Sequence, residues 1–355
     1  MKCSVITGSG SYLPAVLKPN SDFLHQQFFA EDHSPVKNNG QVVIDKFQAI
    51  TGIRERRYAA DSDNTSDLAI IAGEKAINDS GIDRESLDLL IVAHNFGDVS
   101  ANLTQADTVP ALASRVKAGL GIKNPACIAF DTLFGCPGWL MAIMQVEAFF
   151  KAGMAGKALV IGAETLSRVY DPFDRDSMIF SDGAGAVIME AKEGNAAGIV
   201  ACHAVSHCGE ELHYLAMSPS NNPDEAQEVK HLKMKGRKVY EYALKHVPGA
   251  MKTCMDKSGI PVSEVKKIFI HQANEKMDDA ILAAFYKLYG LEAPENIMPM
   301  CIQKLGNSSV ATIPTLYDLV KKNHYPQHKL EAGDVILFAS VGAGMNINAV
   351  CYRCA

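Results

Sequence analysis

Cys136, His271 and Asn307 are the three residues of this 355-residue chain whose types and surroundings could together do covalent chemistry. Cys136 stands in Phe130-Asp131-Thr132-Leu133-Phe134-Gly135-Cys136-Pro137-Gly138-Trp139, ahead of the apolar run Leu140-Met141-Ala142-Ile143-Met144. That order reads as a strand-like approach, a sharp turn bearing one thiol, and a helix. A cysteine at a helix start feels the partial positive charge of the N-terminus, so the sequence predicts a thiol drawn toward thiolate. His271 ends the apolar run Ile268-Phe269-Ile270, and Asn307 lies in Leu305-Gly306-Asn307-Ser308-Ser309. A lone cysteine with a distant His and Asn is a nucleophile pattern whose members meet only in the fold. Plainer readings exist: a buried structural thiol, a satisfied core histidine, an N-cap before Ser308-Ser309-Val310. The Gly-Cys-Pro-Gly turn taken with the distant pair favours the nucleophile.

The elements that must position these residues come in two similar sets. Asp79-Ser80-Gly81-Ile82 through Leu89-Leu90-Ile91-Val92-Ala93 resembles Lys257-Ser258-Gly259-Ile260 through Phe269-Ile270-His271, at an offset of 178 residues. Both read as a helix end, a glycine cap, a short turn and a buried strand. Lys157 to Gly162 and Asp334 to Ala339 repeat at an offset of 177 residues. Two segments agreeing to one residue predict a duplicated chain, with halves 1–191 and 192–355 meeting near Glu190 to Asn195. Helical patterns are expected over 66–78, 109–120, 140–152, 238–257 and 274–288, alternating with apolar β-type runs. Such alternation predicts an α/β layered architecture with mostly buried strands. The polar stretch 22–39 has no clear assignment.

Composition narrows the function classes. Hydrophobic residues make up 48% and charged residues 21%, the balance of a well-packed globular protein. A net charge of −6 gives no nucleic-acid signature. No apolar run approaches the roughly 20 residues of a membrane helix, and the N-terminus turns polar too soon for a signal peptide. The nine cysteines are odd in number and irregularly spaced, so free thiols and a cytoplasmic setting are expected. Cys202, His203, His207, Cys208 and His213 invite a zinc reading, but the segment looks like a strand running into a loop. No metal is expected there. The run Lys233-Met234-Lys235-Gly236-Arg237-Lys238 is either a solvated face or a docking patch for an acidic partner.

Taken in order, Thr51-Gly52-Ile53-Arg54-Glu55-Arg56-Arg57-Tyr58, the Cys136 turn, Tyr170-Asp171-Pro172-Phe173-Asp174-Arg175 and Ser181-Asp182-Gly183-Ala184-Gly185-Ala186 resemble a known pattern. It continues with His271-Gln272-Ala273-Asn274, Gly306-Asn307-Ser308-Ser309 and Val341-Gly342-Ala343-Gly344. The set is similar to the thiolase-fold condensing enzymes, most of all β-ketoacyl-acyl carrier protein synthase III. The resemblance implies a thiolase-like five-layered αβαβα fold from two duplicated halves, and a homodimer. It implies a decarboxylative Claisen condensation, with an acyl primer on Cys136 and a malonyl-acyl carrier protein extender bound by His271 and Asn307. Backbone N–H groups of Cys136 and Ala343 form the implied oxyanion hole, and no cofactor or metal is needed. Acyl carrier protein is the implied partner, docking on Lys233, Lys235, Arg237 and Lys238. Asn274 is expected beside the substrate, or as a helix cap.

Departures from the family pattern shape the expected substrate. A family tryptophan that stacks on the CoA adenine falls at Lys46, beside Phe47, and a nearby arginine is Ile50. Arg168 is taken as the remaining stacking arginine. A phenylalanine that gates the acyl pocket across the dimer is replaced by Val109. These changes favour priming from an acyl carrier protein and a primer longer than acetyl, in fatty acid or specialised lipid synthesis. A dialkylresorcinol-type ketosynthase and a non-catalytic partner subunit are the alternatives. Plant-type polyketide synthases carry a different loop at Val341 to Met345. Thiolases place a second cysteine where Cys351 and Cys354 do not fit.

Overall fold

The computed structural model describes residues 2–194 and 197–355. In the first half, β1 (Lys2–Tyr12), β2 (Val16–Pro19), α1 (Gly40–Thr51), β3 (Glu55–Tyr58), α2 (Thr65–Ser80) and β4 (Leu89–Ala93) are followed by α3 (Leu112–Gly119), β5 (Ile128–Thr132), α4 (Gly138–Lys151), β6 (Lys157–Thr165) and β7 (Asp182–Glu193). The second half holds β8 (Gly198–Ser206), β9 (Leu215–Pro219), β10 (Lys230–Met234), α5 (Gly236–Ser258) and β11 (Val265–Ile270). It ends with α6 (Glu275–Lys287), α7 (Ile302–Leu305), α8 (Thr312–Lys321), β12 (Val335–Gly342) and β13 (Asn346–Arg353).

Two mixed sheets share one strand order. The first runs β1-β7-β6-β4-β5 and the second β8-β13-β12-β11. In each, a parallel pair (β4 with β6, β11 with β12) is followed by two antiparallel neighbours. The repeated sequence segments are the parallel strands of the two sheets. β7 extends to Glu193, past the expected boundary at 191, and Asn195 falls outside the described residues.

Between the sheets lie α4 and α8. Trp139, Leu140, Ile143, Val146 and Phe150 of α4 pack with Ile313, Leu316, Tyr317 and Val320 of α8. The same core takes Ile91, Val160 and Val187 from one sheet and Phe269, Phe338 and Val350 from the other. Phe338 is its aromatic centre, with ring centroids 5.9 Å from Trp139, 5.4 Å from Phe269 and 5.7 Å from Tyr317. α2 and α3 cover the outer face of the first sheet, and α5 and α6 that of the second. The result is a five-layered αβαβα α/β fold. Gly162 and Gly185 let the central layer close, because a Cβ there would meet the Val310 carbonyl oxygen at 2.4 Å or the Thr315 nitrogen at 2.5 Å.

Four of the five expected helices lie within two residues of their sequence ranges. The exception, expected from Val109, begins at Leu112. Its first turn is capped from a distant strand: the Asp131 carboxylate accepts from the N–H groups of Leu112 at 2.8 Å and Ala113 at 2.7 Å. The stretch 22–39 folds back on the body, where Asn221 donates to the Phe29 carbonyl and Phe29 donates to that of Phe173. All nine cysteines are free thiols, five of them buried. Among the described residues, no helix is long and apolar enough to cross a membrane.

Phe338→Ala removes the ring on which both central helices and the second sheet converge. It should cost about 3–5 kcal/mol in chemical denaturation. A cost below about 1 kcal/mol would contradict the packing described for the central layer.

Candidate active site

Cys136 lies between β5 and α4, one residue ahead of the N-cap Pro137. Gly135, at φ 64, makes the turn, and the Gly135 carbonyl accepts from Gly138 N–H at 2.9 Å. Asn348 of β13 donates to the Pro137 carbonyl at 3.2 Å and anchors the turn to the second sheet. The end of β12 closes over it. A Cβ on Gly342 would lie 2.5 Å from the Cys136 nitrogen, and one on Gly135 would lie 2.8 Å from the Ala343 nitrogen. Backbone therefore touches backbone, and the peptide nitrogens of Cys136 and Ala343 are brought to one place.

Asn307 arrives from the loop that leads into α8. Gly306, at φ 61, turns the chain against β3 and the 179–181 segment. Asn307 N–H donates to the Ile179 carbonyl at 2.8 Å, and its own carbonyl accepts from Ser181 at 2.9 Å. Its Oδ1 accepts from Ser309 N–H at 2.8 Å, which leaves the amide NH2 as the donor end. The cap-like turn read from the sequence thus exists, and it orients the amide. Ser309 then donates its hydroxyl to the Cys136 sulfur at 3.3 Å, which ties the asparagine loop to the thiol.

His271 follows β11, with its N–H donating to the Ala339 carbonyl at 2.9 Å on the strand that ends at Gly342. The next residue, Gln272, is wholly buried. It accepts from the N–H groups of Cys301 at 2.9 Å and Ile302 at 3.1 Å, and donates to the Pro299 carbonyl at 2.8 Å. That latch fixes α7, and through it the turn carrying Asn307. The His271 loop and the Asn307 loop are thus one braced unit.

Burial sets the protonation states. It pushes the Cys136 thiol up to about 11, against the lowering effect of the Ser309 hydroxyl. Desolvation thus opposes the pull toward thiolate expected at the helix start. Burial pushes His271 down to about 4, so its imidazole is neutral at pH 7.

A cleft of about 490 Å³ borders this unit, without Cys136, His271 or Asn307 among its lining residues. Lys46, Phe47, Ile50, Arg175, Arg237 and Tyr240 are among its lining residues, and Ala273 and Asn274 place it directly beyond the His271 loop. Asn274 caps α6, accepting from Met277 N–H at 3.1 Å, which is one of its two sequence readings, and it also lines the cleft. Other expected contacts fall elsewhere. Arg168 is nearly buried and donates to the Ala60 carbonyl at 2.7 Å, holding the loop before α2. Arg168 does not line the cleft, whereas Arg175, whose side chain is 57% exposed, and Arg237 do. Lys233 is no surface charge either: its ammonium lies 2.7 Å from Asp171 and 2.9 Å from Asp174. Lys235, Arg237 and Lys238 are exposed at the start of α5. Val109 is 85% exposed and does not line the cleft of its own chain.

The Cys202 to His213 cluster disperses. Cys202 and His203 are successive residues of β8 and face opposite sides, His207 bonds to the Tyr242 hydroxyl, and His213 lines a separate cavity. Among the described residues, no group of three His, Cys, Asp or Glu side chains is placed to hold a metal ion.

A duplicated αβαβα fold with a cysteine at the first central helix and an asparagine at the second is that of the thiolase-fold condensing enzymes. Family models for 3-oxoacyl-[acyl-carrier-protein (ACP)] synthase III and its C-terminal part match residues 130–207 and 255–354. The chain is 33% identical to the β-ketoacyl-[acyl-carrier-protein] synthase III of Bradyrhizobium diazoefficiens, covering 99% of this chain and 98% of that one. It is also 33% identical to that of Erythrobacter litoralis, covering 99% of both. The crystal structure of the Thermus thermophilus enzyme superposes with a TM-score of 0.81 at 29% identity, over 99% of each chain. The protein belongs to the β-ketoacyl-acyl carrier protein synthase III family and is an acyltransferase of the condensing type.

Gly342→Ala should leave the protein folded but displace the Cys136 backbone. Condensation should fall about 10²-fold or more if the Cys136 and Ala343 nitrogens serve as the expected oxyanion-hole donors. Wild-type turnover in a folded Gly342→Ala protein would show that this close approach is not needed.

Proposed function

We propose that the protein condenses an acyl primer carried on Cys136 with a malonyl-acyl carrier protein extender. The observation that carries this reading is the convergence of the Cys136 sulfur, the Ser309-oriented Asn307 amide and the Cys136 and Ala343 peptide nitrogens. In priming, the sulfur attacks the donor thioester carbonyl, the donor carbon–sulfur bond breaks, and the thiol proton leaves with the departing thiolate. The two peptide N–H groups stabilise the oxyanion formed on the way. The malonyl extender then loses CO2 as its carbon–carbon bond breaks, leaving an enolate. Neutral His271 and the Asn307 amide donate to the enolate oxygen. The enolate carbon attacks the acyl-Cys136 carbonyl, and the cysteine leaves as thiolate.

The exposed cations Lys46, Arg175, Arg237, Lys235 and Lys238, around the cleft mouth and the start of α5, fit an acidic carrier whose prosthetic arm enters the cleft. Lys46 and Phe47 replace a stacking platform for adenine, which favours a carrier-protein donor over acyl-CoA. A homodimer is supported by β5, the edge strand of its sheet, whose neighbourhood exposes Ile128 (59%), Leu133 (63%) and Val109 (85%). Val109 from the partner subunit would leave room for a primer longer than acetyl.

Intact-protein mass after incubation with acyl-CoAs and acyl carrier proteins of graded length tests this reading. An adduct on the wild type that is missing from Cys136→Ala is expected, strongest with a medium or long acyl carrier protein. If folded wild-type protein takes no acyl group from any donor, the priming role of Cys136 is wrong.

The imidazole state can be tested separately. Because His271 is neutral above about pH 4, malonyl decarboxylation should show no His271-dependent inflection between pH 5.5 and 8. An inflection near pH 6.5 that disappears in His271→Asn would mean that the imidazole titrates in that range and acts as more than a neutral donor.

A further inference from the structure

Behind Cys136 lies a set of buried polar groups that the condensation steps do not use. Glu164, near the end of β6, is 1% exposed. Its Oε1 accepts from Asn95 N–H at 2.6 Å, and its Oε2 from the Asn95 side-chain amide at 3.4 Å. The same amide donates to the Ser309 hydroxyl oxygen at 3.2 Å, and Ser309 donates to the Cys136 sulfur at 3.3 Å. The Asn95 contact engages the serine oxygen as acceptor, so its one proton is directed to sulfur. Ser309 sits at φ 52, a conformation held because Asn307 accepts its N–H and Gly162 leaves room for the next carbonyl. Strained backbone of this kind persists where surrounding contacts enforce it.

We propose that Ser309, Asn95 and Glu164 form a buried chain that sets the thiolate fraction of Cys136, with Ser309 and Glu164 acting in opposite directions. The Ser309 hydroxyl stabilises negative sulfur by hydrogen bonding, whereas a negative Glu164 opposes it by charge. Asn95 is the positioning residue that bonds to both. The carboxyl itself is pushed up to about 7 by burial, against the lowering effects of Asn95 and His94 and with a smaller raising effect from Asp182. Its charge, and with it the restraint on the thiol, is therefore present above about pH 7. The functional meaning rests on Cys136 being the nucleophile, but ionisation of the thiol can be measured without that assumption.

The test is the rate of iodoacetamide alkylation of Cys136 across pH 6–10, read from the mass of the Cys136 peptide. Ser309→Ala should lower the thiolate fraction about tenfold at a given pH, a shift of about one pKa unit upward. Ser309→Thr should restore most of it. Glu164→Gln, which keeps the acceptor for Asn95 N–H, should raise the thiolate fraction several-fold, and only above about pH 7. Shifts in the same direction for the alanine and glutamine variants, or neither shift exceeding threefold, would overturn the proposal. Should Ser309→Ala fail to fold, Glu164→Gln decides alone by the sign and pH range of its effect. Opposite shifts in a protein that no acyl donor modifies would support the chain while removing Cys136 as the acyl carrier.

Discussion

The contact between the Gly135-Cys136 turn and the Gly342-Ala343 turn is the constraint on which the site depends. Two backbones from different halves approach so closely that a Cβ on either glycine would overlap a peptide group of the other. Only glycine permits that approach, and Gly135 must also hold φ 64. The contact places two peptide donors where neither half alone could put them. Asn348 reinforces it by bonding across to Pro137. Small displacements of such a turn are costly, because an oxyanion donor acts only at hydrogen-bond distance.

That contact is possible because the chain is built twice. Each half has a parallel strand pair flanked by antiparallel neighbours, and each sends one helix into the layer between the sheets. Cys136 opens the first helix, and the Asn307–Ser309 turn opens the second. Close packing around Trp139, Phe338 and Tyr317 holds the two helices in register, and Gly162 and Gly185 bring the second helix onto the first sheet. The proposed nucleophile and the amide that would face the extender are thus positioned by the packed core. His271 joins them through the Gln272 latch to the segment before α7.

Burial is also the main electrostatic agent. It raises Cys136 to about 11 and Glu164 to about 7, and lowers His271 to about 4. All three shifts favour uncharged forms, as expected where a low-dielectric site faces substrates that carry their own charge. A neutral imidazole suits hydrogen-bond donation to an enolate. A protonated thiol needs local help to ionise, and Ser309 is the group in contact with it.

Much of this was legible locally. Apolar runs, glycine caps and turn residues depend on near neighbours, so the alternating elements, the duplication and the Gly-Cys-Pro-Gly turn could be read directly. The candidate trio was legible for a related reason, since Cys136 and His271 border apolar runs that must become a helix or a strand, and Asn307 stands in a Gly-Asn-Ser-Ser turn. Long-range burial and pairing were not legible. Lys233 reads as part of a basic surface run, yet it folds onto Asp171 and Asp174 from a different segment. Arg168 and Arg175 lie seven residues apart, and only the path of the chain shows that Arg175 lines the cleft while Arg168 does not. The α3 start was misjudged because its cap, Asp131, comes from β5. The desolvation of the thiol was not legible, because a helix end is visible in sequence whereas burial is not. Local pattern determined which elements form, and contacts between residues far apart in the chain decided which side chains meet and what charge they carry.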